Sequence, residues 1–252
     1  MTFWDHLEEL RGTIIRSLLF ICAFSVLGLI FKSVLFDGII LAPTRPGFVV
    51  YRLLGWNFSM ELINVDVSAQ FFVHLKASLA VGFILAFPFV VWEVWKFIAP
   101  ALYEREKKAM GTAFGMSAGL FYLGVLVGYF FVLPVCMQFF MNYTVSADVL
   151  NTITLSSYMS MFLSMVLLIG IVFEFPTVVL VLSRLGIVDR SMLRKGRRYA
   201  IVVMLVLSAL ITPSDPFSML VLAVPLYGLY EASILICPKK SDAEDNEDTE
   251  QA

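Results

Sequence analysis

Six long apolar runs dominate the sequence: 13–31, 71–95, 110–133, 158–182, 199–211 and 217–236. A hydrocarbon core about 30 Å thick takes roughly 20 apolar residues in helical form. Lipid offers no partner to open backbone groups, so a spanning segment must be a helix or part of a closed barrel. The dyad alternation of a barrel is missing. Composition agrees: 60% of the 252 residues are hydrophobic and 15% are charged, against roughly 25% charged in soluble domains. The expected fold class is an all-α polytopic membrane protein with six transmembrane helices.

Six crossings put both termini on one side. All of the 18 basic residues except Lys32, Arg45, Arg52 and Lys76 fall in the tails and loops of that side. Lys and Arg accumulate in cytoplasmic loops, so the N and C termini are expected in the cytoplasm. The opening stretch is acidic (Asp5, Glu8, Glu9) and lacks the basic start of a cleavable leader, so the first run is expected to be retained as a span. Residues 32–70 mix apolar and turn residues and are expected to form an ordered outer cap with short helices. The tail 241–252 is acidic, without large apolar residues, and is expected to be disordered. Residues 1–240 then form one domain.

The fifth run is short, about 20 Å at the helical rise, and stops at Thr212-Pro213-Ser214-Asp215-Pro216. The sixth carries Pro225, expected to interrupt it, and then reaches Glu231. Two short neighbouring helices should thin the bilayer around them.

The net charge of −2 and the lack of a basic stripe point away from nucleic acid. Cys22, Cys136 and Cys237 lie far apart and read as packing residues, without a disulfide framework. His6 and His74 are too few for a metal site or a triad, and no nucleotide-binding or hydrolase motif is found. No cofactor, no metal and no catalytic residue are expected.

Two groups of carboxylates carry the remaining chemistry. Glu174 lies mid-span in Phe173-Glu174-Phe175-Pro176, where a carboxylate must face a polar cavity or carry a proton. Pro176 is expected to kink that helix. At the cytoplasmic side, Phe3, Leu7 and Leu10 form an apolar stripe suited to the membrane interface, with Glu9 on the other face. Glu104 and Glu106 open the next cytoplasmic loop. Read from periodicity alone, these acids are better explained as solvated charges at helix starts.

Seven motifs occur in order: Phe3-Trp4-Asp5-His6-Leu7-Glu8-Glu9-Leu10-Arg11; Phe87-Pro88 followed by Trp92 and Trp95-Lys96-Phe97-Ile98-Ala99-Pro100-Ala101-Leu102-Tyr103-Glu104-Arg105-Glu106; Gly128-Tyr129-Phe130-Phe131-Val132-Leu133-Pro134; Phe173-Glu174-Phe175-Pro176; Arg197-Arg198-Tyr199-Ala200; Thr212-Pro213-Ser214-Asp215-Pro216; and Pro225-Leu226-Tyr227-Gly228-Leu229-Tyr230-Glu231. In these the chain resembles TatC, the polytopic subunit of the twin-arginine protein translocase, over residues 1–237. The resemblance implies a curved, concave bundle in a bacterial cytoplasmic membrane. It implies that Glu9 and Glu106 recognise the paired arginines of export signal peptides. Leu10 and Arg11 then hold the N-terminal helix, while Phe97 and Tyr103 belong to the same patch.

The resemblance further implies that Glu174 faces the concave wall, meeting a signal hairpin or a partner helix. Single-span subunits of the TatA and TatB type are the implied partners, docking beside the short helices near Thr212, Asp215 and Met219. It also implies homo-oligomers within a receptor complex, contact with membrane lipid, and transport of folded proteins driven by the proton-motive force. Three positions depart from the family pattern: Gly12, Ser214 and Met219. Met219 stands where relatives often carry Gln, so partner pairing is expected to rely on packing of small residues. The alternative from the residues alone is a secondary transporter for a small cation or acid. Against it stand the lack of an internal repeat and the single deep carboxylate. An intramembrane enzyme would need a second polar group converging on Glu174.

Overall fold

The computed structural model describes residues 3–56, 58–101, 104–146, 148, 151–212 and 215–237, without side chains at 3, 5, 101, 104–110, 112 and 113. The acidic tail 241–252 lies outside the described residues. The helices in chain order are α1 (Phe3–Ile30), α2 (Val49–Leu54), α3 (Ala69–Ile98), α4 (Glu104–Val127), α5 (Leu133–Asn142), α6 (Leu155–Leu163), α7 (Ile169–Val172), α8 (Phe175–Arg184), α9 (Arg190–Lys195), α10 (Arg197–Ile211) and α11 (Pro216–Ile236). Wider π turns at Gly128–Val132 and Ser164–Leu168 join α4 to α5 and α6 to α7.

Five continuous helical stretches are long and apolar enough to cross a membrane: His6–Ile30, Ala69–Ile98, Phe114–Asn142, Leu155–Arg184 and Pro216–Ile236. A sixth is reached only if the bent pair Val34–Ile40 and Ala42–Leu54 counts as one span; α10, over the fifth apolar run, has only 15 residues, or about 22 Å. Successive crossings run in opposite directions. His6 at the start of α1 stacks on Phe97 at the end of α3, and Trp95 then meets Phe114 at the start of the next crossing. At the other end Phe139 of α5 stacks on Phe217 of α11, 3.8 Å between ring centroids. The start of α1 and the end of α11 therefore share one face, called the terminal face below.

The cap between α1 and α3 is helical and apolar. A π turn at Val34–Ile40 and the helical stretch Ala42–Leu54 meet at 47°. Three tyrosines pin it through backbone carbonyls freed at that bend: Tyr129 donates to Ile39 (2.8 Å), Tyr158 to Ile40 and Tyr51 to Pro43 (2.9 Å). One feature is not helical. Leu62–Ile63 and Ile153–Thr154 pair as two short parallel strands, β1 and β2, tying the cap to the start of α6.

Close helix approach depends on residues without bulk. A Cβ added at Gly82 of α3 would collide with the Ser25 hydroxyl of α1 and lie 2.7 Å from its backbone nitrogen. At Gly128 it would come within 2.5 Å of the Met165 carbonyl oxygen. In lipid, where apolar burial offers no net drive, such close packing is what holds helices together.

Prolines inside the spans behave differently from one another. Pro88 lies inside α3 and has no N–H for the Ile84 carbonyl. The Tyr122 hydroxyl of α4 donates to that carbonyl at 3.1 Å, satisfying a group that lipid cannot. Tyr122→Phe is expected to cost about 1 kcal/mol and to loosen α3 against α4, read as a lower midpoint in detergent thermal unfolding. Pro225 does not interrupt the last crossing: α11 runs unbroken from Pro216 to Ile236. Loss of one intrahelical hydrogen bond leaves the rest of the ladder intact when the neighbours hold the helix straight. The break expected at Pro176 falls just upstream, at Phe173 and Glu174, with Pro176 in the first turn of α8.

Candidate functional site

At the terminal face, α1 packs chiefly on α3 through one stripe of residues at helical spacing: His6, Glu9, Thr13, Arg16, Phe20 and Phe24. His6 stacks on Phe97 at 4.5 Å, and Phe20 and Phe24 both stack on Phe89. Thr13 is buried and Glu9 half-buried. Glu9 is thus on the α3-facing stripe, one turn beyond the His6–Phe97 pair. Leu10 and Arg11 are exposed on the flank. Phe97 is half-buried. Glu106 falls in the opening turn of α4, but its side chain and Tyr103 lie outside the described residues.

Deeper in the same seam sits a charge cluster that joins α1 to α3. Glu93 of α3 is 4% exposed, and its two carboxylate oxygens take different cations. Arg16 of α1 donates through Nε to Oε2 at 2.6 Å, and Lys96 through Nζ to Oε1 at 3.0 Å. Arg16 also reaches the Thr13 hydroxyl at 3.4 Å. Glu93 lies near the end of α3, where its two cations cover it, so Glu174 stays the one mid-span carboxylate among the described residues. The signal of Glu93 was available in Trp92-Glu93-Val94-Trp95-Lys96, where an acid and a base one turn apart stand in an apolar run.

Glu174 sits at the break between α7 and α8, its backbone N–H bonded to the Ile171 carbonyl at 3.0 Å. The Ser117 hydroxyl of α4 donates to Oε2 at 2.6 Å. Ser117 and Thr177 are both buried, and Oε1 of Glu174 has no partner among the described residues. A second polar group therefore does converge on Glu174. Ser117 lies 57 positions away, so no spacing rule reveals it. A buried hydroxyl donating to a carboxylate stabilises the charge or shares a proton; among the described residues no oriented third group completes a nucleophile.

The α10–α11 hairpin closes at both ends. Arg197 donates to Glu231 at 2.6 Å, and Tyr227 to the other oxygen of Glu231 at 3.0 Å. At the turn, Asp215 caps α11 by accepting from the Ser218 N–H at 2.6 Å. Its other oxygen is buried and unpaired, near the Cys136 thiol. Thr212 is 4% exposed and donates to the Ser208 carbonyl. The hairpin's small polar groups thus face the bundle, and Met219 is half-buried. The outward face is aliphatic: Val202, Val206, Leu210, Leu220 and Val224 are all more than half exposed. Pro213 and Ser214 lie outside the described residues.

Comparison with known proteins matches this architecture. The family model described as Sec-independent protein translocase protein (TatC) covers residues 5–225. The TatC of Blattabacterium sp. subsp. Periplaneta americana is 35% identical, over 94% of this chain and 94% of that protein. The Aquifex aeolicus TatC is 34% identical, with 94% of each chain covered. A crystal structure of the twin arginine translocase receptor TatC superposes with a TM-score of 0.75 at 34% identity, covering 92% of this chain and 97% of that one. A second, in DDM, gives 0.79 with 92% and 99% covered. The α1–α3 seam, the Glu174 break and the α10–α11 hairpin thus stand in a chain that belongs to the TatC family of Sec-independent protein translocase proteins.

Proposed function

We propose that this chain is the core and signal-peptide receptor subunit of a twin-arginine translocase. In this reading it lies in the cytoplasmic membrane of a bacterium with its terminal face in the cytoplasm. Glu9 and Glu106 bind the two guanidiniums of the signal peptide, with Leu10, Arg11, Phe97 and Tyr103 around them. A guanidinium is a planar, permanently charged fork that matches a carboxylate bidentately, which lysine does not. The observation that carries the reading is the place of Glu9. It is half-buried on the α3-facing stripe beside the His6–Phe97 stack, and neither of its oxygens is engaged in a described salt bridge.

Glu174 with Ser117 then supplies a polar patch at bilayer depth for the hydrogen-bonding part of an inserting signal hairpin or a partner helix. Single-span subunits of the TatA and TatB type dock along α10 and α11, near Thr212, Asp215 and Met219. The aliphatic outer face of that hairpin favours packing over polar pairing. The receptor works as a homo-oligomer with these partners, and the proton-motive force drives export of folded cargo.

The test is retention of a twin-arginine precursor during purification of the intact chain with its partner subunits from detergent. The precursor is expected to co-purify, and its Lys-Lys counterpart to be lost. Equal retention of both would overturn the reading. Uptake of a small cation or acid by proteoliposomes of this chain alone would favour a secondary transporter instead.

A further inference from the structure

We propose that Glu93 is a positioning residue for recognition of the signal arginines: gripped by Arg16 and Lys96 inside the α1–α3 seam, it sets the register at which Glu9 stands beside Phe97. The inference rests on the reading of Glu9 given above.

A buried ion cluster is a poor device for stability alone. Burying the carboxylate costs several kcal/mol, its half-exposed cations return only part of that, and well-packed apolar replacements are often as stable or more so. The best-attested use of such clusters is to choose one register among several. The α1–α3 seam needs that choice. Only 11% of the α1 apolar window is buried, and its main support is a single neighbouring helix. Gly82, Ser25, Gly28 and Ser78 set how closely the two helices approach, and the Phe20, Phe24 and Phe89 rings meet by shape. Among the described side chains, Arg16 to Glu93 is the charged contact across the seam nearest Glu9, and it holds α1 on the side of Glu9 away from the His6–Phe97 stack.

The geometry also decides between positioning and direct contact. Each Glu93 oxygen already has a cation, Arg16 on Oε2 and Lys96 on Oε1. The carboxylate has no exposed edge to offer an incoming guanidinium, being 4% exposed. Arg16 and Lys96 are half-exposed, with side-chain exposures of 51% and 52%, while the acid between them is covered. Glu93 therefore acts through α1. What it controls is where Glu9 stands.

The experiment uses the full chain in detergent or nanodiscs. Spin labels at Glu8 on α1 and Leu85 on α3, both exposed, report the seam without peptide. Fluorescence anisotropy of a twin-arginine signal peptide reports recognition. Glu93→Leu, an apolar replacement that lets the chain fold, and Glu93→Gln are expected to shift or broaden the inter-label distance. Both are expected to weaken peptide binding about tenfold or more, and the exchange of Arg16→Glu with Glu93→Arg to bring it back within about threefold, because small misplacements of a binding group cost about that much. Glu93→Leu with parental distance and affinity overturns the inference. So does weakened binding at an unchanged distance, or a shifted distance with unchanged binding. If Glu9→Ala binds the peptide as the parent does, the recognition reading fails, while the inter-label distance still decides whether Glu93 sets the register.

Discussion

Replacing Glu9 or Glu106 by Gln is expected to lower affinity for a twin-arginine signal peptide by about 30-fold or more each, while the chain still inserts and accumulates. Losing one partner of a hydrogen-bonded charge pair costs about 2–5 kcal/mol, and each 1.4 kcal/mol is about tenfold in affinity. Glu9 is only half-buried, so the lower end of that range applies. Gln keeps the shape and one acceptor but gives up the charge and the second acceptor of the fork. The peptide with Lys-Lys should bind the parent weakly and be nearly insensitive to either substitution, since it makes little use of the fork. Isothermal titration on both variants checks this. Parental affinity in both would remove these carboxylates from the site.

Gly82→Leu is expected to detach α1 from α3. The added Cβ already meets the Ser25 hydroxyl and backbone, and backbone cannot yield as a side-chain tip does. Overpacking typically costs about 1–3 kcal/mol, and this case belongs at the upper end. The seam is nearly the whole support of α1, so the loss is concentrated there. A cysteine pair across the seam should lose its oxidative crosslink, and the thermal midpoint in detergent should fall. Gly115→Leu, at a position where an added Cβ meets nothing within 4 Å, is the matched control and should leave both unchanged.

The helical, membrane-spanning character was legible because hydropathy and length need no tertiary information. Pro225 shows where that reasoning stops. A proline removes one hydrogen bond with certainty, but whether the helix breaks depends on neighbours the sequence does not order in space. Ser117 shows the same limit at the site. Nothing distinguishes it from other span serines until α4 is laid against the Glu174 break. Glu93 differs, since it was visible as an acid inside an apolar run. Its role is masked because Lys96 and the nearby Trp residues mark a membrane boundary, where charges ordinarily need no explanation. Thr212 was legible as polar but not as spoken for. Its bond to the Ser208 carbonyl follows from the helix geometry that back-bonds threonine to the preceding turn.

The one-sided attachment of α1 has a mechanical consequence. A pull along the axis of α1, the direction a cargo held at the proposed Glu9 site would exert, runs parallel to its seam with α3. Such a load is shear: the His6–Phe97 stack, the Arg16–Glu93 pair, the Phe89 rings and the Gly82–Ser25 contact carry it together. A sideways pull would peel them one at a time. The terminal-face end of α1 is therefore stiff along its axis and compliant across it.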